Sequence, residues 1–267
     1  MPRSSPRHHT GTPRDLTPRD GTPRRHTGAA RLTALMSLLL ALALAVAAPA
    51  SARVLDPSQR PGPGAGRTVP VPWGARAFGD PLPVAYAGPG RQLIVVRADC
   101  RTCTSATLQA WNVTAPGRGV PVTAPIRAKI GERGVGAAYE NSLLTPLGTW
   151  DLPEAFGRRA NPGTSMPYFV AGPADYWDDT PGRTYNSHVV SPSRPVGESL
   201  WAAGAVYDYA VVMGVNPGRV PGGGSGFFLH VTDGRPTLGC VAIGAGDLVA
   251  ILRWLTPSAR PQMMVTL

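Results

Sequence analysis

Glycine and proline limit what this chain can fold into more than any other feature of its sequence. The chain has 267 residues, of which 32 are glycine and 30 are proline, and they break the apolar residues into short runs. Both residue types are unfavourable inside a helix, proline by about 3 kcal/mol relative to alanine. The sequence therefore leaves little room for long helices and favours short strands joined by turns.

Short apolar runs bounded by glycine or proline predict the strands of this domain. Their length and their content of β-branched residues are typical of buried strands. The predicted strands are residues 93–96, 107–113, 126–130, 168–171, 205–215, 227–231 and 262–267.

One helix is predicted near the end of the chain. We expect Asp247 to cap its first turn after Gly246, and Pro257 to end it. The apolar residues between these limits recur at i, i+3, i+4 and i+7, and they are Leu248, Ile251, Leu252 and Leu255. Periodicity of this kind predicts an amphipathic helix packed on a sheet. The expected fold class is mainly β, either a β-sandwich or a mixed sheet, with one late helix.

The first 52 residues have the composition of a secretory signal peptide. A segment with seven arginines and two aspartates precedes an uncharged apolar run over residues 32–48, and small residues follow at Ala50 and Ala52. This order matches the pattern that signal peptidase cleaves, so we expect cleavage after Ala52. The alternative is a retained membrane anchor, but the run of 17 residues barely spans about 30 Å of hydrocarbon.

Cleavage would leave one domain and a smaller charge. Residues 53–90 are rich in proline, glycine and arginine and are interpreted as a linker or a surface arm, and residues 91–267 as the folded domain. The net charge of +10 becomes +5 without residues 1–52. Because the remaining arginines are scattered, a nucleic-acid partner is not expected. An exported, mildly basic protein is instead attracted to an anionic surface such as a bacterial cell wall.

The three cysteines divide into a close pair and a single thiol. Cys100 and Cys103 have the spacing of a disulfide across a turn, which an oxidising compartment would favour. The alternative is a redox C-x-x-C motif, but such motifs normally precede a helix, whereas the surrounding residues indicate strand, turn, strand. A zinc site would need a second ligand pair, so no metal is expected. Cys240 is then left unpaired in an exported protein.

Cys240 lies ten positions after His230, which ends an apolar run. A turn at residues 233–236, which contain Asp233-Gly234, would bring Cys240 back beside the end of that strand. A free thiol with a pKa of about 8.5 is mostly protonated at neutral pH, so a catalytic cysteine is usually paired with an imidazole as thiolate and imidazolium. Gly239 would keep the approach to the sulfur open. The alternative is an inert buried thiol.

Two segments resemble the catalytic domain of the L,D-transpeptidases (YkuD-type). The first is "FLHV…PTLGCVAI", with His230 at a strand end followed by Thr237, Gly239 and Cys240, and the second is "TPLGTWDLPEAFG" over residues 145–157. The resemblance covers residues 91–267. It implies the L,D-transpeptidase fold, with Cys240 as nucleophile, His230 as base and the Val231 carbonyl orienting the imidazole. The amides near Gly239 and Cys240 would hold the oxyanion.

The resemblance also implies a reaction. An exported cysteine acyltransferase of this type is acylated by a peptidoglycan stem peptide and transfers the acyl group to the amine of a second stem, which gives a 3-3 cross-link without any cofactor. With water as the acceptor, the enzyme would be an L,D-carboxypeptidase. Thr237, Tyr176 and Tyr185 are predicted to line the substrate groove. For the two tyrosines the alternative is a packing role.

Two further functions stay open at this point. Leu238 stands where many members of the family have His or Lys, and Ala242 where they have Asn or Arg, which favours a catalytically weak or silent wall-binding domain. A thiol oxidoreductase that uses Cys100 and Cys103 is the other alternative. His188 is predicted to be a surface or loop residue. The adjacent Asp178 and Asp179 do not have the separation of a glycosidase pair.

Overall fold

The computed structural model of the protein describes residues 79–267. The predicted signal peptide, residues 1–52, and residues 53–78 of the predicted linker lie outside the described residues. The described strands, in chain order, are β1 (Asp80–Pro81), β2 (Gln92–Ala98), β3 (Ser105–Ala115), β4 (Arg118–Pro121), β5 (Ile126–Lys129), β6 (Val135–Gly136), β7 (Thr145–Pro146), β8 (Gly148–Asp151), β9 (Ala155–Gly157), β10 (Tyr168–Val170), β11 (Asp175–Asp178), β12 (Ser187–Val190), β13 (Glu198–Ser199), β14 (Ala210–Val212), β15 (Phe228–Val231), β16 (Val241–Ile243) and β17 (Gln262–Thr266).

Most of these strands belong to one mixed sheet of twelve strands. Ten of them follow the order β10-β9-β14-β15-β16-β5-β3-β2-β17-β8, and β4 and β1 extend it beside β3. The pairs β9–β10, β15–β16 and β2–β17 are parallel, and the other pairs in the sheet are antiparallel. Two small sheets, β12-β11-β13 and β6-β7, complete the described part. The predicted mainly β class with a mixed sheet is confirmed.

Strand β2 shows why the sheet is buried on both faces. Ile94 and Val96 pack into a core shared with the late helix, while Leu93 and Val95 pack against Leu82 and its neighbours on the other face. A strand covered on both faces has a continuous apolar run rather than an alternating one, as residues 93–96 do.

Residues 79–90 form part of this second layer and not a free linker. The strand β1 pairs with β4, and the side chains of Leu82 and Tyr86 are buried. The Tyr86 hydroxyl accepts a 2.8 Å hydrogen bond from the Gly90 amide and contacts the side chain of Gln262 in β17. Residues 79–90 therefore pack against the sheet.

A single α-helix is present among the described residues, α1 (Ala245–Trp254). Its N-cap is Gly244, so the prediction that Asp247 caps the helix is wrong, and Asp247 instead lies in the first turn. A carboxylate there is favourable because the helix dipole is positive at its N-terminus. The predicted apolar face is buried at Leu248, Ile251 and Leu252. The helix ends before Leu255, and Pro257 begins a short 3-10 helix.

One predicted strand is wrong over most of its length. Residues 205–215 begin as a 3-10 helix, Gly204–Tyr207, and only Ala210–Val212 forms a strand. The Tyr207 hydroxyl donates a 2.7 Å hydrogen bond to Glu198. Gly204 has a positive φ of 78°, which is not a strand conformation. The apolar run alone does not indicate this 3-10 helix.

We predict that Leu252→Ala lowers the free energy of unfolding by about 2 to 5 kcal/mol, because the leucine side chain is fully buried in the core beneath the sheet. Urea denaturation of the purified protein measures this value. Leu267→Ala removes the same atoms from a side chain that is 48% exposed, and it should leave the stability within about 0.5 kcal/mol of the unmodified protein. Equal losses in the two variants would contradict the assignment of the core.

Candidate active site

Parallel pairing of β15 with β16 places Cys240 and His230 on the same face of the sheet. Leu229 pairs with Val241 and His230 with Ala242, so Cys240 lies beside Phe228, one step before the pairing begins. Side chains alternate between faces along a strand, so His230, Phe228 and Cys240 all point away from the core that holds Leu229. The side chains of Cys240 and His230 line the same cavity.

The loop between these strands turns twice. The predicted turn at residues 233–236 is present, with the Asp233 carboxylate accepting hydrogen bonds from the amide and side chain of Arg235. A second reversal at Gly239 then directs β16 parallel to β15, whereas the sequence predicted a single reversal. Gly239 has a φ of 140°, and a Cβ atom there would lie 2.8 Å from the ring of Phe227 and 3.1 Å from the Leu144 carbonyl. Only glycine fits this position.

Two threonine hydroxyls hold the backbone of Cys240. The Oγ1 atoms of Thr237 and Thr145 donate to the Cys240 carbonyl at 2.7 and 3.1 Å. Thr145 Oγ1 also accepts a bond from the Gly131 amide, and Thr237 Oγ1 accepts one from the Gly239 amide. The two sequence segments that carry the family resemblance thus meet at the Cys240 carbonyl.

These bonds change the roles expected for two of the predicted site residues. Thr237 lines the cavity, and its buried hydroxyl donates to the Cys240 carbonyl, so it also holds the cysteine loop in position. The Gly239 amide already donates to Thr237 at 3.2 Å. Gly239 therefore shapes the turn, and the expected pair of free amides at the oxyanion position is not found in this arrangement.

The Cys240 sulfur is buried and protonated in the resting site. Its Sγ accepts a hydrogen bond from the Phe228 amide at 3.3 Å and donates one to the Gly226 carbonyl at 3.4 Å. Burial, with a smaller contribution from the charge of Glu198, raises the pKa of the thiol to about 12. Desolvation disfavours the charged form, so the sulfur is a thiol at neutral pH.

His230 is held in the tautomer of a general base. Its Nδ1 lies 2.9 Å from the Val231 carbonyl oxygen. A carbonyl only accepts hydrogen bonds, so Nδ1 carries the proton and Nε2 keeps its lone pair. The Tyr207 ring packs edge to face against the imidazole, with 5.4 Å between centroids. Burial lowers the pKa of His230.

Burial therefore favours a neutral thiol and a neutral imidazole at rest over the expected thiolate and imidazolium pair. Both charged forms are disfavoured for the same reason, which is the loss of water around each group. The sulfur accepts a hydrogen bond from the Phe228 amide and donates one to the Gly226 carbonyl.

Cys240 and His230 open into one cavity of about 520 Å³. Its walls come from the segment 139–143, the glycine-rich loop before β15, the loop before β16, and the aromatic residues Trp177 and Tyr207. Leu238 stands at its edge with 74% of its surface exposed. Volumes of this size are typical of sites for small ligands.

The two tyrosines predicted to line the groove lie outside the cavity. Tyr185 is fully buried, and its hydroxyl donates to the carboxylate of Glu140. Tyr176 is half-buried in β11, where it pairs with Val189 and Ser199. Both are packing residues, and Trp177, next to Tyr176, lines the cavity instead.

Sequence reasoning missed a carboxylate that lines the same cavity as Cys240 and His230. Glu198 lines the cavity from β13, and its Oε1 accepts the hydrogen bond of Tyr207. Desolvation raises its pKa. No local pattern in the sequence singles out Glu198, because its position depends on the pairing of β13 with β11.

The remaining candidates are separate from the cavity lining. Cys100 and Cys103 are joined by a disulfide in the turn between β2 and β3, with 5.0 Å between their Cα atoms. His188 contacts Asp175 and stacks on Phe169 with 3.9 Å between ring centroids. Within residues 79–267, no three His, Cys, Asp or Glu side chains are arranged to hold a metal ion. The same residues include no helix with the length and apolar character needed to cross a membrane.

Comparison with known proteins gives no assignment. No protein-family model matches the chain, and a search of the curated proteins finds no match.

We predict that iodoacetamide modifies Cys240 far more slowly in the folded protein than in urea at pH 8, because a thiol with a pKa of about 12 is almost entirely protonated there. The rate in the folded protein should rise about tenfold per pH unit up to about pH 10. Intact mass measures the modification, and the disulfide leaves Cys240 as the reactive cysteine among the described residues. Fast alkylation with a plateau near neutral pH would contradict the assigned thiol.

Proposed function

We propose that this protein is an exported cysteine acyltransferase of the L,D-transpeptidase type, with the fold of that family, acting on peptidoglycan stem peptides. The observation that carries the proposal is the shared cavity of Cys240 and His230, in which Val231 fixes the imidazole with Nε2 free to accept a proton. The meeting of Thr145 and Thr237 at the Cys240 carbonyl supports it further.

The first half-reaction acylates the cysteine. His230 Nε2 accepts the thiol proton while Sγ attacks the carbonyl carbon of the stem peptide's terminal amide bond. The tetrahedral intermediate then collapses, the C–N bond breaks, and the imidazolium returns its proton to the departing D-amino acid. A thioester on Cys240 and a neutral imidazole remain.

A base that is neutral at rest suits this step. Because burial lowers the pKa of His230, most of the protein holds an unprotonated Nε2 at neutral pH. Because the thiol is also neutral, the charges of the proposed reaction form only when a substrate is in place.

The second half-reaction transfers the acyl group to the amine of another stem, which gives a 3-3 cross-link. Attack by water would instead release the shortened stem, which is the L,D-carboxypeptidase reaction. The cavity of about 520 Å³ has room for the end of one peptide beside the sulfur.

A catalytically silent domain that binds the cell wall is the second candidate. The deep burial of the sulfur and the apolar, exposed Leu238 favour it. The two candidates differ in one respect that can be measured, namely whether Cys240 forms a covalent bond with an acyl donor.

We predict that a carbapenem forms one stable adduct per chain, because its strained amide acylates a nucleophilic cysteine without a departing amino acid. Intact mass shows the adduct, and peptide mapping places it on Cys240. Cys240→Ala should abolish the adduct, and His230→Gln should slow its formation by about 100-fold or more, because the base is lost.

An unmodified wild-type protein would count against the transferase and favour the silent domain. Cys100 and Cys103 serve as the internal control, since disulfide-bonded sulfurs gain no mass. Binding of the purified protein to cell-wall sacculi, without any change in their stem peptides, would then support the catalytically silent wall-binding domain.

The pH dependence of acylation follows from His230. Protonation of Nε2 removes the base, so the rate should fall as the pH drops through the pKa of His230, which burial holds below its usual value of 6.5. The rate of acylation by the carbapenem, measured by mass spectrometry of samples quenched at set times, should be half-maximal below pH 6.5 and independent of pH above that value. A rate that climbs steadily from pH 7 to pH 9 would instead indicate attack by a thiolate that forms without His230.

A further inference from the structure

Glu198 and Cys240 flank the same backbone position in the cavity. The Cys240 sulfur donates to the Gly226 carbonyl at 3.4 Å. A Cβ atom on Gly226 would lie 3.5 Å from Oε2 of Glu198. The carboxylate therefore lies next to the residue that contacts the nucleophile, in the cavity that both line.

Among the described residues, one oxygen of this carboxylate has a protein partner. Oε1 accepts the 2.7 Å bond from the Tyr207 hydroxyl, while no hydrogen bond to Oε2 is found there. The Glu198 side chain is accessible from the cavity that it lines. Oε2 is thus free to meet a ligand, and Tyr207 fixes the direction in which it faces.

The charge of the cavity favours a cationic ligand. Its lining includes four carboxylates, of Glu140, Asp179, Glu198 and Asp233, against the single guanidinium of Arg235. Arg235 is already paired with Asp233 at 2.6 Å, and the Glu140 carboxylate accepts bonds from Tyr185 and Ser225. Of the four carboxylates, that of Glu198 is the one whose charge acts on the Cys240 thiol.

We propose that Glu198 accepts the proton that a cationic amine brings into the cavity, so that an amine and not water is the preferred acyl acceptor. This inference rests on the proposed function, because it concerns the second half of that reaction. It assigns Glu198 a catalytic role in contact with the acceptor, separate from the role of His230.

The proton balance of the transfer explains the need for a second base. An alkylamine arrives as an ammonium ion, and Glu198 Oε2 takes one proton to expose the nitrogen lone pair. The nitrogen attacks the thioester carbon, the C–N bond forms, and the C–S bond breaks as the intermediate collapses. The second proton passes through His230 Nε2 to the sulfur, which restores the thiol, and Glu198 releases its proton to solvent.

Hydrolysis of the thioester needs only one base. It attacks after loss of one proton, which His230 alone can take. A second base in contact with the acceptor therefore accelerates the attack of an ammonium-bearing acceptor and leaves hydrolysis largely unchanged. The raised pKa of Glu198, caused mainly by desolvation, makes it a stronger base than an ordinary carboxylate. The titratable groups that face it are Tyr207, Asp179 and Cys240.

The test compares two acceptors on one acyl-enzyme. A stem tetrapeptide serves as donor, Nα-acetyl-lysine as an acceptor that is an ammonium ion at neutral pH, and hydroxylamine as an acceptor that is already neutral. Mass spectrometry gives the ratio of amide product to hydrolysed product. Glu198→Gln should lower this ratio about 100-fold with acetyl-lysine and leave it unchanged with hydroxylamine.

Asp179→Asn is the matched control. It removes the same charge from the same cavity, but Asp179 has no bond to Tyr207. Its ratio should stay close to that of the wild type with both acceptors. An equal fall in Asp179→Asn would show that general attraction of cations, and not proton transfer to Glu198, selects the acceptor, and it would overturn the inference.

The outcomes separate this inference from the function on which it rests. A wild-type protein that forms no adduct with a carbapenem removes the proposed function. A wild type that is acylated, with Glu198→Gln showing the wild-type ratio for both acceptors, removes only the role of Glu198.

If the Glu198→Gln protein fails to fold and so forms no carbapenem adduct, the pH dependence of the wild type tests the inference instead. With Glu198 as base, transfer to acetyl-lysine in the wild type should be nearly independent of pH between neutrality and about pH 9. If Glu198 is not the base, the rate in the wild type should follow the concentration of free amine and rise about tenfold per pH unit. That result would overturn the inference.

Discussion

The parallel pairing of β15 with β16 is the constraint on which the site depends. Parallel neighbours normally need a connection of about a dozen residues or more, usually a helix, yet only residues 232–240 join these two strands. Two features allow this short connection. Gly239 has a positive φ, and the hydroxyls of Thr145 and Thr237 donate hydrogen bonds to the Cys240 carbonyl. The tight return leaves Cys240 at the entrance to β16, beside the strand that carries His230.

Burial then decides the chemistry of this pair. Because the cavity surrounds both groups with protein, the thiol keeps its proton and the imidazole stays neutral. Nearby Glu198 strengthens this state by adding a negative charge that opposes the thiolate. In the proposed reaction, charge would therefore separate only when an amide carbonyl or an acceptor amine fills the cavity. The same acidic side chain would then act in both halves of the proposed acyl transfer.

Local patterns in the sequence predicted the features that depend on local contacts. The apolar runs of β2, β3, β5, β15 and β17 predicted those strands, and the i, i+3, i+4 spacing predicted the buried face of α1. Features that depend on distant contacts were not predictable in this way. Glu198 reaches the cavity through strand pairing, Tyr207 turns inward on a 3-10 helix, and Tyr185 is buried by a carboxylate partner far along the chain. The Cys240 carbonyl accepts a hydrogen bond from Thr145, which lies 95 residues earlier in the chain.

The proposed function depends on one step, the acylation of Cys240 by a stem peptide with His230 as base. Acid quenching of the purified protein during turnover of a stem tetrapeptide, followed by intact mass, measures this step. A fraction of the chains should be heavier by the stem peptide less its terminal D-amino acid, with the added mass on Cys240. A single unmodified species, from protein that still binds the peptide, would contradict it.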